Sequence, residues 1–478
     1  MNDMILILNY ADELSMEIAR RLRTEQVYAR MISGMVSAEQ VRSIAPRGII
    51  LSGESGGKLG TFDAEILALG VPVLALGHAS RMLLEACGGA CADVALSEKR
   101  AHVEYRKSPL FTGVSDGERY LKEGYTLMLP ADVQEIAEAC GCTIAFEDAE
   151  KKRYGMQFEL ERNDLEGSTI LKNFARDICG CSPWWSLDAA LAEVEQGLAA
   201  QAARGGEAIC AVSGGVDSTV AALLAHRAFG ERMKAVFLDT GLLRSGEAES
   251  VRAMYESLGI PLLFVDQADE ILAALAGKHT PEEKREVVVR SLYDEIGRRS
   301  SMMTGKKTLV LGTNYNDFLH NGSSALNWKD SGMTVVEPLL ELFKDEVRAI
   351  AQRLGMPQEM VSRKPFPALG LGARIVGEIT AERLAVLRMA ETAFREEICE
   401  AGLEHKLYKY FPVMLTGGTG YEMIVLRAVT ASGGILLPAR LPYDLIERTV
   451  QRIMENAPGI MRVFYDYTPT IVGQEIFS

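Results

Sequence analysis

The sequence predicts an α/β protein built from two doubly wound parallel-sheet domains and a smaller closing domain, and three observations carry that prediction. Short apolar runs alternate with stretches of helical spacing from the first residues to about 190, the pattern of strands linked by crossover helices. The same alternation starts afresh after the pair Gly205-Gly206. At its start, the apolar run AICAV (Ala208 to Val212) hands over to the helical pattern STVAALLAH through a glycine turn, a strand-to-helix junction legible in a dozen residues.

Taken in order, MILILNY reads as the first strand, with a helix through Ala19-Arg20-Arg21 behind it. Strands follow at Gly48 to Gly53 and Val71 to Leu76, the second leading into a helical run to Glu85. The segment SPWWSLDAALAEVEQGLAAQAARGG reads as an amphipathic helix stopped by its glycine pair, so the domain boundary is placed near residue 190. Beyond it, Lys234 to Asp239, Pro261 to Asp266 and Thr308 to Thr313 read as further strands. In an open parallel sheet the ligand lies at the carboxyl ends of the strands, which would gather Ser213 to Ser218, Asp239 and Thr313.

The junction Ser213-Gly214-Gly215-Val216-Asp217-Ser218 is the chemical centre of that picture. Two glycines allow a tight turn with outward-facing N–H groups, and the following helix adds the positive end of its dipole, which together make a phosphate nest. Hydroxyls of Ser213, Ser218 and Thr219 supply further donors, and Asp217 is the candidate ligand for a metal ion bridging phosphates. It is not a Walker A loop, because no lysine closes it.

Composition narrows the class. With 478 residues, 48% hydrophobic and 24% charged, the chain has room for two to four domains of ordinary globular composition. A formal charge of −14 argues against nucleic acid or an anionic membrane as the main partner. No apolar run approaches the roughly 18 residues of a membrane span, and Met1 to Tyr10 lacks the marks of a signal peptide, so a cytoplasmic protein is expected. The eight cysteines lack metal-ligand spacing and are read as buried or incidental reduced thiols.

The hexapeptide SGGVDS resembles the pyrophosphate loop of the N-type ATP pyrophosphatases, and its neighbours are similar to the GMP synthase family along the whole chain. Residues 1–190 carry ARRLR, PRGIILSG, GVPVLAL, SPLFTGV, KKRYGMQF and NFARDICGC, and resemble its class I glutamine amidotransferase domain. Residues 191–375 resemble its ATP pyrophosphatase domain through VFLDTGLLRSGEAESV, LGTNYND and EPLLELFKDEVRAI. Residues 376–478, with LRAVTASGG, ARLPYDLIERTVQRI and MRVFYDYTP, resemble the α+β domain through which the family forms homodimers. The resemblance implies ATP and Mg²⁺ as cofactors and cleavage between the α and β phosphates. It puts ATP or pyrophosphate on the loop from Ser213 to Thr219, Asp239, Arg244, Gly312 and Thr313, gives Asp217, Lys344 and Asp345 catalytic work, and assigns Arg374 and Arg462 to the acceptor. Lys284 and Arg285 match a basic pair of the family and, as neighbours on a helix, are read as a solvated face.

Within the pyrophosphatase domain Asn316 falls where the family has proline, His320-Asn321-Gly322 replaces its E-S-G, and Ala368-Leu369 replaces a G-P pair; the larger departures lie at the other two sites. In the first domain the nucleophilic cysteine's position is Gly77 and the base histidine's is Glu159; Glu161, which would orient that base, remains. Glu54 stands in the oxyanion loop, where donors are required, so no glutamine hydrolysis is expected. In the last domain Thr416 to Tyr421 is a shortened glycine segment, and the lysine that holds the acceptor's 5′-phosphate falls on Thr470. The reading is therefore an adenylating enzyme acting on a purine-like or other small acceptor, with nitrogen or sulfur from a separate donor. Two alternatives stay open: a GMP synthase fed by free ammonia or a partner glutaminase, and a nucleotide-binding pseudoenzyme.

Overall fold

The run MILILNY is buried along almost its whole length, as a strand covered on both faces must be, and Met4–Tyr10 is the second strand of a nine-stranded sheet. This is a computed structural model. It describes residues 3–10, 14–53, 63–94, 100–121, 124–158, 160, 165–361, 369–416, 421–432, 435–457 and 459–471, the side chains of 320, 321, 432 and 471 excepted. Contacts divide the chain into two units, Met1–Leu191 and Ala192–Ser478.

In the first unit the sheet runs in the order Tyr28–Ser33, Met4–Tyr10, Gly48–Gly53, Val73–Gly77, Arg153–Met156, Cys142–Asp148, Gln134–Ala139, Arg100–Tyr105, Gly117–Tyr120. The first five strands are parallel, as the alternation of strands and helices predicts. The last four extend the sheet antiparallel, which the sequence reading did not contain. The physical reason lies at Cys140-Gly141, where φ values of 52° and 74° make the two-residue turn that joins antiparallel neighbours. Cys140 thus serves as a turn residue.

The second unit holds a five-stranded, all-parallel sheet ordered Leu262–Asp266, Met233–Asp239, Glu207–Val212, Lys307–Val310, Thr334–Val336. Strand order reverses between Glu207–Val212 and Lys307–Val310, so a crevice opens beyond the carboxyl ends of those two strands. A second sheet follows, with Lys409–Thr416, Glu422–Ser432, Ile435–Pro438 and Thr470–Ile471 antiparallel and Ile460–Tyr465 parallel to Glu422–Ser432. Helices Ala381–Glu400 and Tyr443–Asn456 pack against it. One apolar core runs through both sheets of this unit, from Ile209 and Leu309 through Leu371 and Ile375 to Leu387, Phe394, Leu426 and Ile460.

Candidate functional site

Strand Glu207–Val212 ends at the sheet's switch point, and helix Val216–Phe229 begins after three intervening residues. Gly214 takes φ = 73°, the left-handed region that an L side chain avoids, while Gly215 is an extended N-cap. The Ser213 amide donates to Ser218 Oγ at 3.2 Å, Ser218 Oγ donates to the Gly215 carbonyl at 3.1 Å, and Thr219 Oγ1 donates to the same carbonyl at 2.8 Å. The turn is therefore braced from inside. This corrects the expectation for Thr219: it is fully buried, its hydroxyl proton is spent on Gly215, and its oxygen accepts from Tyr255 at 3.3 Å. Val216 and Ser218 are buried as well, so what the turn offers a phosphate is chiefly backbone N–H groups and the Ser213 hydroxyl.

Across the crevice the chain leaves strand Lys307–Val310 through Gly312 and Thr313. A Cβ on Gly312 would lie 2.6 Å from Ser218 Cα and 2.7 Å from Ser218 N, so only glycine lets the two backbones approach this closely. Thr313 is buried, and Asn314 caps helix Tyr315–Asn321 by accepting from the Asp317 amide at 3.0 Å. Asn316 accepts from the Lys344 amide at 3.0 Å and so holds the first residue of helix Lys344–Arg353. From there Lys344 Nζ reaches Asp217 Oδ2 at 3.2 Å. Two residues 127 apart in sequence thus meet at adjoining helix starts. The second carboxylate oxygen of Asp217 is buried and has no hydrogen-bond partner, which fits an oxygen reserved for a cation. Asp345, next along, is exposed.

Asp239 closes the neighbouring strand, and its Oδ1 accepts from the Gly241 amide at 2.9 Å, which shapes the turn toward Arg244. Arg244 and Arg374, expected on nucleotide and acceptor respectively, both face the buried carboxylate of Glu391. Arg462 is exposed on strand Ile460–Tyr465. Lys364 to Ala368, Gly417 to Gly420, Glu54, Glu159, Glu161 and the tail from Val472 lie outside the described residues.

Comparison with known proteins agrees with this geometry. The family model described as NAD synthase matches residues 190–378. A GMP synthase (glutamine-hydrolyzing) of Geobacillus kaustophilus is 34% identical, with 98% of this chain and 98% of that protein covered. Those of Lactobacillus delbrueckii subsp. bulgaricus and Thermomicrobium roseum are 32% and 35% identical, each over 98% of this chain and over 96% and 95% of their own lengths. The chain belongs to the GMP synthase family. It is accordingly a carbon–nitrogen ligase with an adenylating ATP pyrophosphatase centre.

The first unit of this GMP synthase homologue contains a strand-to-helix elbow. Strand Val73–Gly77 ends with Gly77 at φ = 59°, and helix Ala79–Ala86 follows directly. The Gly77 carbonyl accepts from the hydroxyls of Ser80 at 2.8 Å and Tyr125 at 3.3 Å, so the buried polar groups beside the elbow are used on the elbow itself. Cys87 caps the far end of that helix, and burial pushes its thiol upward in pKa. Cys210, in the strand before the glycine turn, is fully buried and its thiol is pushed up to about 12.

Three charged residues matter more than their sequence context suggested. Lys284 is not on a solvated face: it is buried, and its Nζ donates to the Ile375 carbonyl at 2.6 Å. Burial, with Arg383 nearby, lowers its pKa from 10.5 to about 8. The unfolded chain therefore holds more protons than the folded one between those values, and stability should rise with pH across that interval. Urea midpoints at pH 7.5 and 10 test this; the rise should be smaller in Lys284→Met than in the parent, and equal rises would count against it. Arg427, also buried, pairs with Asp466 and donates to Thr470 Oγ1 at 2.7 Å, so Thr470 has a structural partner. Glu391 carried a usable signal. It falls among Leu384, Leu387, Phe394 and Ile398 at helical spacing, an acid on an apolar face.

Proposed function

We propose that the chain activates a carbonyl oxygen of a purine-like acceptor with ATP, and that nitrogen arrives from outside its own first unit. The acceptor oxygen attacks the α phosphorus and pyrophosphate leaves. The nitrogen nucleophile then adds to the activated carbon, loses a proton, and AMP departs with the former carbonyl oxygen. The observation that carries this reading is the meeting of Lys344 with Asp217 at 3.2 Å beside the glycine turn. An ammonium there offsets charge developing on the leaving pyrophosphate, in a crevice where two helix starts already favour anions. Asp217 would hold Mg²⁺ through its unpartnered oxygen, and the ion would shield the phosphate charges.

The external nitrogen source rests on the elbow. Gly77 has no side chain to act as nucleophile, and the Ser80 hydroxyl is spent on the Gly77 carbonyl. Ammonia, or a partner that hydrolyses glutamine, would meet the need. A second reading takes xanthosine monophosphate as the acceptor and GMP as the product, and is favoured by relatives of that name matched over nearly their full lengths. A homodimer through the last sheet is supported by Met461, Phe464 and Tyr467, all exposed on or beside its strand Ile460–Tyr465.

Pyrophosphate release from ATP and Mg²⁺, with ammonium or glutamine and a panel of purine bases, nucleosides and nucleotides, is the test. Ammonium should support turnover, glutamine should not, and Gly77→Cys should still release no glutamate because the base position is Glu159. Glutamate formation by the unaltered chain would overturn the nitrogen assignment. Release with xanthosine monophosphate and formation of GMP would decide for the second reading. No release with any acceptor would favour a nucleotide-binding protein without turnover.

A further inference from the structure

Glu391 is 3% exposed on the apolar face of helix Ala381–Glu400. Its Oε2 accepts from Arg374 Nη1 at 2.8 Å, and its Oε1 lies 2.6 Å from Arg244 Nε. The two guanidiniums come from separate segments. Arg244 follows the turn that Asp239 shapes, and Arg374 closes the turn Gly370–Arg374. Those segments are themselves tied, since the Leu371 amide donates to the Leu242 carbonyl at 2.7 Å. One helical turn before Glu391, Arg388 donates to the carbonyls of Gly241 at 2.6 Å and Leu243 at 2.9 Å. Glu247 holds the backbone of Arg244 at 3.1 Å, and Phe411 lies under the Arg374 guanidinium at 4.8 Å.

We propose that Glu391 is a positioning residue of the adenylating reaction, acting through Arg244 on the nucleotide and through Arg374 on the acceptor. This rests on the function proposed above. Two like-charged guanidiniums stay side by side in an apolar setting only while a carboxylate lies between them; the Arg374 fork takes its direction from the oxygen it donates to, and Arg244 is held to the other oxygen by charge. Without the negative charge the pair repels, and each cation turns away from the line its substrate requires. Burial and Arg244 both work against the charge on Arg374, and Glu391 is the main group that sustains it.

The test measures the dissociation constant for ATP with Mg²⁺, the pyrophosphate-release KM and kcat, and the melting temperature. It uses the full chain and its variants Glu391→Gln, Glu391→Asp, Arg244→Gln and the double variant Glu391→Gln/Arg244→Gln. Glu391→Gln and Arg244→Gln should each weaken ATP binding about tenfold, the scale of one charge-assisted contact. The double variant should be no weaker than Arg244→Gln alone, and Glu391→Asp, which keeps the charge, should recover most of the affinity. Penalties that multiply would overturn the proposal. So would a lowered melting temperature with unchanged ATP affinity in Glu391→Gln, or no loss in Arg244→Gln. Failure of the parent chain to release pyrophosphate with any acceptor, while still binding ATP, would refute the proposed function and leave the binding comparison decisive for Glu391. A parent chain that does not bind ATP would overturn both.

Discussion

Replacing Lys344 by methionine should slow pyrophosphate release from ATP by about a hundredfold to a thousandfold, the usual consequence of removing a preorganised group from developing anionic charge. The size follows from where the ammonium stands. It sits at the first position of helix Lys344–Arg353, its backbone fixed by Asn316 and its Nζ 3.2 Å from Asp217. Its side chain is 31% exposed, open enough to reach an arriving phosphate. The ion pair itself contributes little to folding, roughly 0–1 kcal/mol for a partly exposed pair, so the melting temperature should barely move. Stopped reactions sampled for pyrophosphate at saturating ATP separate the two effects. Unchanged turnover in a variant that melts normally would remove Lys344 from the chemistry.

The second large effect belongs to Gly312. An alanine there would put its Cβ 2.6 Å from Ser218 Cα and 2.9 Å from the Asp217 carbonyl carbon. Both are backbone atoms at the start of a helix, and neither can swing aside as a side chain does. The strand end and the helix must separate, at about 1–3 kcal/mol for an overpacked site, and the phosphate turn moves with them. Gly312→Ala should therefore lower the melting temperature and raise the KM for ATP by more than about tenfold. Gly215→Ala is the steric control: the nearest atom to its Cβ is Ser213 Oγ at 3.4 Å, so its melting temperature should stay near that of the parent. Equal stability losses in the two variants would sink the argument from close approach.

How much of this was legible in the sequence differs by level. The strand–turn–helix at Ala208 to Ala222 was readable because glycine permissiveness and hydrophobic period are local properties. The antiparallel half of the first sheet was not, because its decisive turn is Cys140-Gly141 and the cysteine drew attention to its thiol rather than to its backbone. At the site, Asp217 and Lys344 could each be named, but a contact across 127 residues is a property of topology and leaves no mark in either neighbourhood. Thr219 misled for a related reason. A hydroxyl in a phosphate turn can face outward or brace the turn, and only the helix geometry decides. Arg244 and Arg374 were placed by their motifs, which say nothing of what the two side chains share. Their shared carboxylate had a visible signature, an acid at Glu391 in the Leu384, Leu387, Phe394 stripe, because a buried charge needs a partner.

The continuous core of the second unit has a consequence for how such a chain can change. Leu309, Leu371, Ile375, Phe394 and Leu426 belong to one packed body, so the parallel sheet and the sheet that follows it share their apolar filling. Neither can be traded for a relative's version as an independent module without matching the other's side-chain volumes. Novelty at the far end of this unit has to come by replacement of individual side chains, within a frame whose dimensions the adenylating crevice has already set.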